Sequence, residues 1–163
     1  MQHVPFGRGH VDPRYAQNFL DTCAFDPKYS PEHDAAQQIR TLRNEGKVHL
    51  LIARSVQKEI EHPNTPEDVK REAADMNYTK KTSLTADERT RQAKIHAILT
   101  GNGKPEKYEE DAAHVFEAGK YMGYFITTDK RILRKSQELK GVTPAVILKP
   151  TEWLSIFHGA ASA

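Results

Sequence analysis

The sequence predicts an α/β fold in which a parallel sheet of about four to five strands lies between two layers of helices, a three-layer α/β/α arrangement. Short apolar runs typical of buried strands alternate with longer segments that carry helix start and stop signals. One run, at residues 48–53, is apolar at nearly every position, as a strand covered on both faces should be. Strands separated by helices require right-handed crossovers, and these produce a parallel sheet with helices on both faces.

The first elements along the chain are a leader, a strand and a helix. Residues 1–16 contain glycine, proline and histidine without periodicity, which predicts an irregular leader. Residues 18–24 form an apolar run typical of a buried strand. Ser30 and Pro31 are preferred at a helix N-terminus and Gly46 is a typical C-terminal stop, so a helix is expected between them.

The strand at 48–53 is followed by two stretches with helical signals. Ser55 is expected to cap a short helix at 56–61. Residues 65–100 are predicted to be helical, because capping patterns begin at Thr65 and at Thr85. The remaining elements are predicted as a helix at 107–122 closed by Gly123, a strand at 124–128, a helix at 130–139, a strand at 144–148 and a short final helix from Pro150.

Length and composition indicate one soluble domain. The chain has 163 residues, 37% hydrophobic and 28% charged, so we expect a single core at 17–157, with a helical extension at 65–100 and a flexible tail at 158–163. No apolar run approaches the roughly 20 residues that span a bilayer, and the N-terminus lacks a secretory signal. The single cysteine, Cys23, allows no internal disulfide. These features predict a cytoplasmic protein.

The net charge does not by itself indicate a partner, because it is only +2. Basic residues are nevertheless enriched between Lys80 and Lys107, and again at 130–135 directly after Asp129. Basic groups beside an acidic cluster suit a site that holds a polyanion. On charge alone, a solvated helix face is the favoured explanation of the same pattern.

Four carboxylates occur where an ionised side chain is costly to bury. Asp21 interrupts the apolar run of the first strand, Asp129 ends the run at 124–128, and Glu59 and Asp111 share helix faces with apolar residues. The residues on the face of Asp111 are Val115, Ala118, Gly119 and Met122. Carboxylates that meet at the carboxyl edge of a parallel sheet repel one another. Because a bound divalent cation relieves that repulsion, metal-dependent chemistry is the leading hypothesis.

Three of these acids also have a structural interpretation. Asp129 is well placed to cap the helix that follows it, and Asp111 to stabilise a helix N-terminus. Glu59 can form an ion pair with Lys58 or Arg54. Asp21 is the hardest to explain structurally, because aspartate is depleted from strands.

Together these acids and their neighbours resemble the four acidic motifs of the PIN-domain nuclease family. The resemblance covers about residues 17–155, and its most specific piece is the strand-end pattern from Thr127 to Asp129. The segments that carry it are Phe19-Leu20-Asp21-Thr22, Ser55…Glu59-Ile60, Asp111-Ala112…Ala118 and Ile126-Thr127-Thr128-Asp129-Lys130. Arg131 is a departure, because many members carry an acid or an asparagine two residues after the fourth aspartate.

The resemblance implies a nuclease that depends on Mg²⁺ or Mn²⁺ and cuts phosphodiester bonds, usually in RNA. The metal ligands it implies are Asp21, Asp111 and Asp129, with Glu59 binding a metal or orienting its water. Thr127 and Thr22 are expected to support the site by holding these acids. The expected phosphate contacts are Lys130, Arg131 and Lys58. Hard oxygen ligands suit both ions independently of the resemblance.

Several roles remain open within this resemblance. Many stand-alone relatives are toxins that are inhibited by a small antitoxin and form homodimers, so a toxin role implies an antitoxin partner and a homodimer. The alternatives are a DNA nuclease with the same site and a non-catalytic RNA-binding or scaffold domain that keeps the fold. None of the eight histidines has the paired spacing of a zinc site, and His114 is given no catalytic role.

Overall fold

The computed structural model describes residues 11–21, 31–52 and 83–161, with short pieces at 63–64, 66–67, 70–71 and 77–78. The strands are β1 (Gln17–Leu20), β2 (His49–Ile52), β3 (Asn77–Tyr78), β4 (Tyr124–Ile126) and β5 (Val146–Leu148). The helices are α1 (Glu32–Asn44), α2 (Ala86–Thr100), α3 (Glu109–Lys120), α4 (Lys130–Arg134), α5 (Ser136–Leu139) and α6 (Pro150–Ala161), and a 3-10 helix, Pro105–Tyr108, precedes α3. The predicted helix at 56–61, with Lys58 and Glu59, lies outside the described residues, as do Thr22 and Cys23.

The five strands form one sheet in the order β3-β2-β1-β4-β5, and each neighbouring pair is parallel. This confirms the predicted α/β class and the parallel sheet. Helix α1 packs against α6 and α2 packs against α3, which is compatible with a three-layer arrangement. No helix in the described ranges is long and apolar enough to cross a membrane. The largest fully buried side chains include Trp153, Tyr124, Phe19, Phe125, Leu20 and Ile39.

The direction of the crossovers reverses at the middle of the sheet, between β1 and β4. The chain passes from β1 outward to β2 on one side, and from β4 outward to β5 on the other. A crevice therefore opens beyond the carboxyl ends of β1 and β4. Leu20, the last residue of β1, is in register with Ile126, the last residue of β4. Asp21 and Thr127 consequently leave the sheet side by side at this crevice.

The region from 65 to 100 is not helical throughout, which corrects the sequence prediction. Asn77 and Tyr78 form β3, which pairs in parallel with Leu51 and Ile52 of β2. The local capping signals were correct only for the last part: Thr85 and Glu88 form the expected capping box, and α2 follows directly. Strand pairing depends on a partner far away in sequence, so local signals could not reveal it.

The end of α3 also differs from the prediction, because the helix ends at Lys120, two residues before the predicted end. Met122 has a φ of 54° and occupies the left-handed position, and Gly123 donates its N–H to the Ala118 carbonyl, while Met122 donates to Gly119. Met122 therefore leaves the buried face of α3 and is 69% exposed. Gly123 is needed for a different reason, since a Cβ there would lie 2.3 Å from the Gln17 carbonyl oxygen.

Two further differences concern the C-terminal third. The helix predicted at 130–139 is interrupted at Lys135, which separates α4 from α5. Helix α6 continues to Ala161, so residues 158–161, expected in a flexible tail, are helical. Ala160 is buried, and its carbonyl accepts a hydrogen bond from Arg14 Nη2 at 3.5 Å. The end of α6 is thus held against the described part of the leader.

Asn18 joins four parts of the fold through one buried side chain. Its Nδ2 donates to the carbonyls of Pro13, Ala16 and His49 at 3.0, 3.3 and 2.8 Å. Its Oδ1 accepts a hydrogen bond from Trp153 Nε1 at 2.8 Å. The side chain is fully buried, so these bonds replace water. They fix the leader, β2 and α6 relative to β1, and thereby the strand that carries Asp21.

Candidate functional site

Asp21 and Asp129 meet at the crevice through Thr127. The Thr127 hydroxyl donates to Asp21 Oδ2 at 2.7 Å and accepts a hydrogen bond from the Asp129 backbone N–H at 3.0 Å. Thr127 is fully buried and Asp21 is 5% exposed. Backbone bonds from Asp21 N to the Ile126 carbonyl and from Thr127 N to the Leu148 carbonyl continue the sheet ladder here. The strand-end pattern recognised in the sequence is therefore one hydrogen-bonded unit.

Asp129 both caps a helix and pairs with Arg131. It is the N-cap of α4, because Oδ1 accepts the Arg131 backbone N–H at 2.9 Å. Its two oxygens also accept from the Arg131 side chain, Oδ1 from Nε at 3.1 Å and Oδ2 from Nη2 at 2.7 Å. This two-point pairing fixes the carboxylate plane as well as its position.

Asp111 reaches the same cluster from the first turn of α3. Its Oδ2 lies 3.3 Å from Arg131 Nη2, so one guanidinium contacts the acids of two different helices. The Arg131 guanidinium also lies over the ring of Tyr108, with 5.6 Å from Cζ to the ring centroid. The structure thus brings Asp21, Asp111 and Asp129 to one place, as the sequence predicted for these three acids.

The electrostatics of the cluster reflect this proximity. Burial raises the pKa of Asp111, Arg131 opposes that effect, and the charges of Asp21 and Asp129 raise it further, to a pKa of about 6. For Asp129, burial is outweighed by the hydrogen bonds and charge of Arg131, so its pKa lies below the usual value. The same hydrogen bonds raise the pKa of Arg131. Burial and the neighbouring acids therefore disfavour the ionised form of Asp111, whereas Arg131 stabilises the ionised form of Asp129.

His114, which the sequence places near the proposed site without a catalytic role, lies beside Asp21. Its ring is fully buried, with Nδ1 4.0 Å from Asp21 Oδ1 and Nε2 3.9 Å from Glu110 Oε2. These distances exceed those of hydrogen bonds. His114 lies three residues after Asp111 on an apolar helix face, which is the sequence signal for a place near the acids. A histidine that only packs in the core gives the same signal.

The other predicted site residues are distributed differently. Lys130 is exposed at the start of α4. Arg131 is also exposed in part, but its guanidinium contacts the acids. Glu59, Lys58 and Thr22 lie outside the described residues, so their roles stay predictions.

The donors fit a hard divalent cation in their chemistry but not in their present arrangement. Three aspartates supply the oxygen ligands that Mg²⁺ and Mn²⁺ prefer. Within the part of the chain that the structure describes, however, no three or more histidine, cysteine, aspartate or glutamate side chains are grouped so that they could hold one metal ion. Arg131 instead supplies positive charge to Asp111 and Asp129.

Comparisons with known proteins do not add to this geometry. No protein-family model matches the chain, and no curated protein matches it at a significant level. The resemblance to PIN-domain nucleases therefore depends on the four motifs themselves.

Proposed function

We propose that this protein is a divalent-metal-dependent endoribonuclease of the PIN type, which hydrolyses phosphodiester bonds in RNA. The observation that carries the proposal is the convergence of Asp21, Asp111 and Asp129 beyond the carboxyl ends of β1 and β4. These residues come from three separate parts of the chain, and a purely structural role for each would not require them to meet. Glu59 completes the proposed site on the strength of the motif resemblance.

The chain's own residues would hold and orient the reacting groups. Thr127 holds one oxygen of Asp21 and the backbone N–H of Asp129, and so fixes the positions of these two residues relative to each other. A divalent cation bound by such carboxylates supplies positive charge for phosphate oxygens and lowers the pKa of a bound water. Lys130, exposed at the start of α4, is available for a neighbouring phosphate of the substrate.

The test is cleavage by the purified full chain of labelled single-stranded RNA, duplex RNA, single-stranded DNA and duplex DNA. Each substrate is incubated with Mn²⁺, with Mg²⁺ and with a chelator. The variants are Asp21→Asn and Asp129→Asn, which keep the side-chain shape but remove the charge. Asp87→Asn is the matched control, because Asp87 is an exposed aspartate in the first turn of α2, away from the crevice.

We expect metal-dependent RNA cleavage that both site variants reduce by more than roughly a hundredfold, while Asp87→Asn retains it. Far-ultraviolet circular dichroism would verify that each variant is folded. Cleavage of DNA but not RNA would assign the DNA-nuclease alternative. RNA binding without cleavage under every metal condition would assign the non-catalytic alternative, and either result would overturn the proposal.

A further inference from the structure

The positive charge of Arg131 lies next to carboxylates that repel one another. Its guanidinium contacts Asp129 at two points and Asp111 at one, so it contacts two of the three aspartates proposed to bind metal. The planar fork of arginine matches a carboxylate with two parallel hydrogen bonds, and its charge does not titrate in the physiological range. This one positive group offsets part of the repulsion among three neighbouring carboxylates.

The guanidinium can leave the acids without disturbing the helix that carries it. The side chain is 45% exposed and lies at the surface over Tyr108. The cap of α4 is made by Asp129 and the backbone N–H of Arg131, and side-chain rotation does not affect that bond. Rotation about the Arg131 side chain therefore exposes Asp111 and Asp129 while the backbone stays in place.

We propose that the Arg131 guanidinium is an internal counter-ion that competes with a divalent cation for Asp111 and Asp129, so that metal loading requires this side chain to move away. The inference rests on the proposed function for the identity of the competing ligand. Once displaced, Arg131 lies beside the crevice with its charge available for a substrate phosphate. A polyanion that binds the displaced side chain then favours metal binding, and by reciprocity the metal favours the polyanion.

The direct test measures Mn²⁺ binding to the full chain without nucleic acid, by isothermal titration calorimetry. The variants are Arg131→Gln and, as a matched control, Arg134→Gln. Arg134 is exposed on the same helix and donates to the Lys130 carbonyl at 3.3 Å, so its substitution removes the same charge elsewhere. We expect Arg131→Gln to bind Mn²⁺ on the order of tenfold more tightly than the wild type, and Arg134→Gln to bind like the wild type.

A second readout follows the wild-type side chain itself. The Nε–H resonance of Arg131 in nitrogen-15 NMR spectra should shift on saturation with diamagnetic Mg²⁺, because the group loses its bond to Asp129. The corresponding Arg134 resonance should not shift. Mn²⁺ binding to Arg131→Gln that is equal to or weaker than wild-type binding would overturn the inference. An unchanged Arg131 signal in metal-saturated wild-type protein would overturn it as well, even if the variant failed to fold.

These results can be separated from the fate of the proposed function. If the wild type cuts RNA with Mn²⁺ and Arg131→Gln gains no affinity for Mn²⁺, the nuclease function stands and the competition is wrong. If Arg131→Gln gains affinity but no nucleic acid is cut, the competition stands and the nuclease function is wrong. The metal titration contains no substrate, so its result is obtained separately from the result of the cleavage assay.

Discussion

Thr127 donates its hydroxyl hydrogen to Asp21 at 2.7 Å, between the end of β4 and the end of β1. The same oxygen accepts the Asp129 N–H. A hydroxyl both donates and accepts, so a threonine at this place orders two acids that are 108 residues apart in the sequence, at 21 and 129. Substitution of Thr127 therefore tests whether the fixed relative position of Asp21 and Asp129 matters for activity.

Substitution Thr127→Val should reduce both activity and stability. Valine has nearly the same shape but leaves a buried Asp21 oxygen and the Asp129 N–H without this partner, at a cost of about 1–3 kcal/mol. Metal affinity or cleavage should fall by roughly 10- to 100-fold. Denaturant titration and the RNA cleavage assay measure the two effects. Thr127→Ser, which keeps the hydroxyl, is the control, and equal loss of activity in both variants would contradict this explanation.

Substitution Met122→Gly should stabilise the protein. Met122 has a φ of 54° at the end of α3, a conformation that costs a residue with a Cβ about 1–2 kcal/mol. Its side chain is mostly exposed, so little buried surface is lost. After the larger entropy of glycine in the unfolded chain is deducted, we expect a gain of about 0.5–1 kcal/mol in the free energy of unfolding.

Two neighbouring variants control for this prediction. Met122→Ala keeps a Cβ and should not stabilise the protein. Gly123→Ala should destabilise it, because the new Cβ would meet the Gln17 carbonyl oxygen at 2.3 Å. A stabilising effect of Met122→Ala as large as that of Met122→Gly would show that the backbone conformation is not the cause.

Substitution Asn18→Asp should destabilise the protein in a pH-dependent way. The carboxylate keeps the acceptor for Trp153 but places a second oxygen against three carbonyls, without a hydrogen to share. The new carboxyl should therefore have a raised pKa in the folded state. Because the unfolded state ionises more readily, stability should be lowest at neutral pH and should partly recover as pH falls toward about 4.

Thermal unfolding of Asn18→Asp between pH 7 and pH 4, relative to the wild type at each pH, measures this recovery. Asn18→Ala serves as the control, since it loses the three donor bonds, and the Trp153 bond as well, without adding a charge. Its deficit relative to the wild type should not shrink as the pH falls. A pH-independent deficit in Asn18→Asp would mean that the carboxyl finds a donor or water.

Tyr124 should make the protein sensitive to alkaline pH. Its hydroxyl donates to the Val11 carbonyl, and burial, assisted by the charge of Asp12, raises its pKa from 10.0 to about 12. The unfolded state therefore loses its proton first, so the contribution of this group is complete below about pH 10 and declines as the pH rises toward 12. Wild type should exceed Tyr124→Phe by about 1 kcal/mol at pH 8, and this advantage should be lost between about pH 10 and pH 12.

Paired denaturant titrations of wild type and Tyr124→Phe from pH 8 to pH 12 isolate this group, because all other tyrosines and lysines are common to both proteins. A difference in the free energy of unfolding that stays constant across this range would contradict the assigned pKa.

The sequence by itself determined the α/β class, four of the five strands and the positions of three site acids. Its signals are local: Gly46 has a φ of 73° where the stop of α1 was expected, and Thr85 and Glu88 form the predicted capping box. Asp21 and Asp129 were found because a carboxylate after an apolar strand is costly and because strand ends share one edge of a parallel sheet.

Only the tertiary structure decided how distant groups meet. Strand β3 exists because Asn77 and Tyr78 pair with β2, and Arg131 turns from α4 toward Asp111 of α3 because charge balance in the crevice favours that contact. Local spacing carries no information on either, since both depend on which parts of the chain become neighbours when the core is buried. The sequence therefore indicated the acids, and the packed fold determined that the Arg131 guanidinium lies between Asp111 and Asp129.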